Sequence, residues 1–270
     1  MGAIHKKFRK SSMINPTLLH IYGTLGIKWY GVCIVTGIIV ALFLVQKDAV
    51  IKKLMNSHQL ENLVTFMILS AVFGGRILYL WELGQPLFSL EALAIWEGGF
   101  SVQGAIVTCL SLVPLYLYYQ KIPALKSIDR LIIYVPLLQS ISRLGCFFAG
   151  CCYGKATYMP WHVIYTHPES LAPLNIPLHP TQLYSSALLF FIFCFLYINK
   201  DTLSRFQGSL LCLYLAGVGI ERFIVDFLRD DRGILYYHLS LQQWIAFSIV
   251  ISSYIVFRLV KKYTNHYESI

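Results

Sequence analysis

Arg222, Asp226 and Arg229 are spaced i, i+4, i+7 and so share one face of a helix. The run that carries them is otherwise apolar, and a charge placed there needs either a function or a partner. Glu221 stands beside Arg222 in the same run, Arg76 and Arg143 stand in two other apolar runs, and Tyr30, Gln103 and His179 sit near the ends of further ones. Arginine grips phosphate or carboxylate through two parallel donors, and here the guanidiniums outnumber the carboxylates close to them in sequence. This pattern suits an anionic ligand, for which a lipid headgroup is the natural candidate at that depth. The plainer account is an Arg222–Asp226 ion pair that makes a buried charge tolerable. A second reactive group is Cys146, Cys151 and Cys152, three thiols within seven residues.

The elements that must position these residues are membrane helices. Hydrophobic residues make up 57% of the 270 positions and charged ones 13%, with mean hydropathy +0.61. A soluble domain carries about 25% charged residues. A bilayer core of about 30 Å needs about 20 apolar residues per helix. Seven stretches fit, at 27–46, 63–83, 99–119, 130–149, 179–198, 206–228 and 240–260. None alternates as barrel strands do. The expectation is an all-α polytopic membrane protein of about seven spans. Residues 1–26 form an extension outside the membrane, 27–260 the membrane domain and 261–270 a cytoplasmic tail. The connections are short except for 150–178. The first run lacks a signal-peptide cleavage pattern and is expected to stay in the protein.

The net charge of +9 does not imply nucleic acid, because the Lys and Arg lie in short loops without a basic, aromatic-interleaved stripe. Those loops orient the protein instead. One side holds Lys155, Arg229 and Arg232. The other holds Lys47, Lys52, Lys53, Lys121, Lys126, Arg130, Lys200, Arg205, Arg258, Lys261 and Lys262, eleven against three. The eleven should be cytoplasmic, which puts the N-terminus outside and the C-terminus inside. Lys6, Lys7, Arg9, Lys10 and Lys28 oppose this, and an initiator at Met13 would remove four of them. With the spans alternating in direction, Tyr30, Arg76, Gln103, Arg143, His179, Glu221, Arg222 and Asp226 all fall in the outer half of the membrane.

The run Arg143-Leu-Gly-Cys-Phe-Phe-Ala-Gly-Cys-Cys-Tyr-Gly154 resembles the signature of the prolipoprotein diacylglyceryl transferase family. So do Trp29-Tyr30-Gly31, Gly74-Gly75-Arg76, Glu97-Gly98-Gly99-Phe100-Ser101, His179-Pro180-Thr181-Gln182-Leu183-Tyr184 and Glu221-Arg222-Phe223-Ile224-Val225-Asp226-Phe227-Leu228-Arg229, in the family's order. The resemblance implies a seven-span enzyme of the bacterial inner membrane. Such enzymes move an sn-1,2-diacylglyceryl group from phosphatidylglycerol to the lipobox Cys thiol of a preprolipoprotein and release glycerol phosphate, without metal or organic cofactor. Arg143 and Arg222 match family arginines tied to phosphate binding and catalysis, and Tyr30 and Gly154 match other functional positions. Arg76, Asp226 and Arg229 join them as expected substrate-binding residues.

The chain departs from the family's best-known branch at several of these positions. Gln103 stands where that branch has a proposed His base, and an amide cannot take up a proton at neutral pH. Cys146, Cys151 and Asp226 replace Asn, Glu and Glu, which marks a Cys-containing branch. Gln103 and His179 are retained as catalytic candidates, His179 as the substitute base or else a structural cap. A thiol of ordinary pKa near 8.5 is already a few per cent ionised at neutral pH, so a dedicated base is dispensable. Two other functions fit the residues. One is a lipid-binding or transport protein without chemistry. The other is a thiol redox or metal protein using Cys146, Cys151 and Cys152, with His162, His167 or His179 as a further ligand.

The charge asymmetry predicts that an impermeant thiol reagent reaches single cysteines placed in 150–178 of a cysteine-free chain in intact cells. Cysteines placed in 120–127 should stay unlabelled, and their labelling from outside would reverse this topology.

Overall fold

All seven apolar stretches fold as helices. The computed structural model describes residues 14–22, 25–86, 99–204 and 206–268. Lys6, Lys7, Arg9, Lys10, Met13, Glu97, Gly98 and Arg205 therefore lie outside the described residues. The spans are α1 (Trp29–Val45), α3 (Ser57–Glu82), α4 (Val102–Tyr119), α6 (Val135–Ala149), α7 (Thr181–Leu203), α8 (Ser209–Asp226) and α9 (Leu241–Glu268). Short helices α2 (Ala49–Leu54) and α5 (Ala124–Leu131) precede α3 and α6. Among the described residues, five helical segments are long and apolar enough to cross a bilayer: Ser57–Glu82, Val102–Tyr119, Ala124–Ala149, Thr181–Leu203 and Leu241–Lys262. The other two sequence-predicted spans have identifiable reasons for standing apart. α1 is apolar but short, at 17 residues, and α8 carries Glu221, Arg222 and Asp226 within its 18 residues. The chain is an all-α polytopic membrane protein. Its outward side chains are apolar, with Leu110 71% and Phe191 68% exposed, the reverse of a water-soluble surface.

Local chemistry sets the helix ends. Asn56 caps α3 through Gln59 N–H at 2.8 Å, while the Gln59 amide oxygen accepts from Asn56 N–H at 2.9 Å, a reciprocal capping box. Between α5 and α6 the chain tightens into a 3₁₀ turn at Ile132–Tyr134. Pro136 follows it in the first turn of α6, where its missing N–H costs nothing. α6 ends at Gly150, whose φ of 75° is the left-handed conformation that glycine adopts without strain.

The chain divides into two compact units, residues 1–45 with 129–270, and residues 46–128. In the first, α6 packs against α1 and α7, α7 also against α8, and α8 against α9. It also contains a part the composition did not reveal. The extension predicted for 1–26 includes strand β1 (Thr17–Tyr22), paired antiparallel with β2 (Leu25–Lys28). The long 150–178 connection contains β3 (Val163–Ile164) and β4 (Pro177–Leu178), also antiparallel. Ile14, Val163, Tyr165, Ala172 and Leu178 form a small core there, with Phe147, Phe148 and Tyr153 packed against it. The Thr17 hydroxyl donates to Glu169 at 2.8 Å, and Trp29 stacks on Phe148 at 5.1 Å. A hairpin of β5 (Ile234–Tyr236) and β6 (Leu239–Ser240) joins α8 to α9.

The second unit is built on α3 against α4, which cross where both present glycine. A Cβ on Gly104 would lie 2.2 Å from the Gly74 carbonyl oxygen, and one on Gly74 would lie 1.8 Å from Thr108 Oγ1. Without side chains the two backbones meet directly, as small residues allow in membranes. Gly104→Ala should therefore destabilise the protein by about 1–3 kcal/mol, read as a lower unfolding midpoint in detergent. Gly31→Ala is the control, because nothing lies within 4 Å of its added carbon. Equal midpoints for the two variants would remove this account of the α3–α4 contact.

Candidate functional site

In the first unit the ends of three helices, α6, α7 and α8, converge on one short segment, residues 150–155. It leaves α6 at Gly150 and is held from two sides by backbone hydrogen bonds. Gly154 N–H donates to His179 O at 3.1 Å, and His179 N–H donates back to Lys155 O at 3.0 Å. Lys155 N–H donates to Leu228 O at 2.8 Å, and Gly154 bridges Arg229 just beyond α8. The first turn of α7 holds the segment further: Thr181 Oγ1 donates to Cys152 O and Gln182 Nε2 to Cys151 O, each at 2.7 Å. The run His179-Pro-Thr-Gln thus has a mechanical meaning, since its side chains clamp the two cysteines. Gly154 shows a packing constraint too, as a Cβ there would lie 2.6 Å from His179 Cβ.

The clamp places charge and sulfur together. Arg143, near the end of α6, points Nη1 at Cys152 Sγ, 3.9 Å away. The ligand atoms of Cys146, Cys151 and Cys152 all lie within 4.8 Å of one another, and Cys151 Sγ faces Cys146 O at 3.8 Å. Hydrogen bonds from the Cys146 and Cys151 thiols, followed by the Arg229 and Arg143 charges, outweigh burial and hold Cys152 below the ordinary thiol range. Tyr30 lies in the same electrostatic neighbourhood as the three cysteines and Arg143. Its α1 passes directly over α6, and a Cβ on Gly145 would sit 3.0 Å from Tyr30 Cα.

The α8 charges are distributed differently from the i, i+4 expectation. Asp226 pairs with Arg232 at 3.3 Å rather than with Arg222, and accepts a hydrogen bond from Ser240. Arg229 makes a two-donor pair with Asp231 at 2.8 and 2.6 Å. Burial opposes the Arg229 charge, but this pair and the neighbouring Cys152 hold its pKa above the usual guanidinium range. Glu221 is buried and accepts from Ser185. Arg222 is left half-buried beside Arg143, Arg229 and Arg232. Among the described residues it makes no hydrogen bond or ion pair.

The first unit therefore brings together Tyr30, Arg143, Gly154, His179, Arg222, Asp226 and Arg229. Arg76 and Gln103 belong to the second unit. Arg76 is buried there, donates to Gly99 O at 3.2 Å and lies over the Tyr79 and Phe100 rings. Gln103 is exposed and accepts from Ser101 Oγ at 3.2 Å. The His179 ring turns to Tyr184 Oη at 3.3 Å, His162 to Met159 O at 2.7 Å and His167 to Glu169 N–H at 3.2 Å. Among the described residues no histidine joins the thiols, contrary to the four-ligand set considered from sequence. Sequence reading passed over Thr181 and Gln182 as site-builders. Their signal was polar side chains in the first turn of an apolar helix.

A helical membrane protein with an arginine-rich, thiol-lined site at the ends of its helices defines the class: a membrane-embedded protein with a cationic site. The chain belongs to the prolipoprotein diacylglyceryl transferase family, whose family model matches residues 16–259. It is 35% identical to the phosphatidylglycerol–prolipoprotein diacylglyceryl transferase of Clostridium tetani, over 91% of this chain and 98% of that one. The second such transferase of Clostridium perfringens is 32% identical over 89% and 93%, and that of Cupriavidus necator 28% over 92% and 91%.

The Gln182 clamp is testable. Gln182→Leu leaves the Cys151 carbonyl without its donor, at a cost of about 1–3 kcal/mol. The variant should unfold at lower temperature, and Cys151 and Cys152 should react faster with maleimide. Unchanged stability and thiol reactivity would mean that the 150–155 segment holds its shape without α7.

Proposed function

We propose that this protein transfers an sn-1,2-diacylglyceryl group from phosphatidylglycerol to the lipobox cysteine thiol of preprolipoproteins. The observation that carries this reading is Arg222, a half-buried guanidinium without a partner among the described residues and surrounded by further arginines. Positive charge left uncompensated in a low-dielectric site is strongly stabilised by an anion. The phosphodiester of phosphatidylglycerol supplies one at headgroup depth. Family membership supports the reaction.

In this mechanism Arg143 and Arg222 hold the lipid phosphate. As the thiolate attacks the glyceryl carbon, negative charge grows on the departing phosphate oxygen, and fixed donors there lower the barrier. Arg229 and Asp226 keep the cationic cluster in register through their pairs with Asp231 and Arg232. Tyr30 lines the same neighbourhood, and Gly154 lets the cysteine-bearing segment lie against His179. Gln103, a neutral amide of the second unit, cannot serve as the base. Bulky acyl chains enter sideways from the lipid. The site faces the outer leaflet of a bacterial inner membrane, with the N-terminus outside and the C-terminus in the cytoplasm, following the loop charges.

Purified protein in phosphatidylglycerol vesicles, given a lipobox peptide, should yield the thioether by mass spectrometry. Arg143→Gln or Arg222→Gln should lower turnover by at least about 100-fold, the scale of losing a transition-state donor. Lysine should restore only part, for want of the two-donor fork. Phosphatidylglycerol binding without any thioether would favour a non-catalytic lipid-binding protein.

A further inference from the structure

Cys151 and Cys152 are adjacent in the chain, and neighbouring side chains ordinarily diverge. Here both sulfurs come within 4.8 Å of each other and of Cys146 Sγ. Two backbone features produce this. Gly150 turns the chain back over the last turn of α6, and Cys152 itself has φ 59°, a left-handed conformation that is uncommon for a residue with a side chain. Such strain persists only where the surroundings impose it, and it clusters at functional sites. The surroundings here are the Thr181 and Gln182 clamps on both cysteine carbonyls. An inert packing role would not require two consecutive carbonyls to be fixed so that three sulfurs converge.

We infer that Cys146, Cys151 and Cys152 form a three-thiolate zinc site whose open fourth position takes the lipobox thiol of the substrate. A tetrahedron with Zn–S bonds of about 2.3 Å separates its sulfurs by about 3.8 Å, so the observed grouping closes on a metal with small side-chain movements. No His, Asp or Glu joins the three among the described residues, which leaves a protein ligand set of three, the number typical of catalytic rather than structural zinc. Three thiolates on Zn²⁺ carry one net negative charge, and the substrate thiolate adds a second. Arg143 faces Cys152 Sγ at 3.9 Å, and Arg229 adds positive charge at the same sulfur. The inference rests on the proposed transferase activity and adds to it a way to raise the ionised share of the nucleophile without a base.

The step balances. The substrate thiol binds as thiolate and gives its proton to solvent. Its sulfur forms a bond to the glyceryl carbon while the bond from that carbon to the phosphate oxygen breaks, and the electron pair leaves with glycerol phosphate. The product thioether is neutral and a poorer ligand, so it departs.

Reduced protein should take up one Zn²⁺ per chain. With Co²⁺ instead, thiolate-to-cobalt charge-transfer bands should appear, and they should be absent in Cys152→Ser but present in Cys109→Ser. X-ray absorption on the unmutated zinc protein needs no variant to fold. It should find three sulfurs near 2.3 Å, rising to four when a lipobox peptide is added. Chelator-stripped protein should transfer about 30-fold more slowly at pH 7, the ratio of a fully ionised thiol to one about 3% ionised, and Zn²⁺ should restore the rate. Substoichiometric metal in reduced protein or a disulfide within the trio in native protein would overturn the site, and a sulfur count that stays at three with peptide would overturn its binding of the substrate thiol. Full-rate transfer by metal-free protein would overturn its role and leave the transferase reading intact. Zinc and a fourth sulfur without any thioether product would instead overturn the transferase reading.

Discussion

Everything at this site depends on keeping several guanidiniums charged where water is scarce. A buried cation without compensation is costly, and the fold meets that cost unevenly. Asp231 and Asp226 compensate Arg229 and Arg232, whereas Arg143 faces a sulfur and Arg222 has no hydrogen bond or ion pair among the described residues. On the proposed function, this unequal distribution is what turns a set of charges into a phosphate site. Had Asp226 neutralised Arg222, as the helical spacing suggests, the same residues would form a structural pair with little attraction for a phosphate.

The scaffold that maintains this imbalance is mostly backbone. The 150–155 segment is bonded to residue 179 ahead of α7 and to residue 228 after α8, while α7 side chains grip its carbonyls. Hydrogen bonds of this kind are strong where no water competes and expensive to leave unmade, so the cysteines and the arginine-bearing helix ends hold a common geometry. The small core around Tyr165 packs against Tyr153 of the segment and is tied to the end of α6 by the hydrogen bond from Tyr165 to Phe147 O at 3.0 Å. The long connection between α6 and α7 is thus a structured part of the site.

Membership in the diacylglyceryl transferase family and the branch-specific cysteines fit one physical scheme. The reaction needs a nucleophilic thiolate and a stabilised phosphate leaving group. On the proposed function the arginines serve the second need, in the manner the family resemblance implies. On the zinc proposal the three thiols meet the first, with ionisation supplied by coordination instead of by a titrating side chain.

The sequence by itself determined the seven helices, because apolar runs of membrane length have few other ways to satisfy their backbone. It also determined which residues could do chemistry, because ionisable groups in such runs are costly and therefore few. The family motifs, read in order from Tyr30 to Arg229, were legible for the same reason. Tertiary structure alone decided how those residues were partnered. Periodicity places Arg222 and Asp226 on one face of α8, but Asp226 turns to Arg232 and Ser240 because the β5–β6 hairpin folds back against the helix end. The convergence of Cys146, Cys151 and Cys152 was equally invisible. It depends on a left-handed backbone at residue 152 and on hydrogen bonds from Thr181 and Gln182, about thirty residues downstream. Local pattern reports which face a side chain occupies, and long-range hydrogen bonding decides what it meets there.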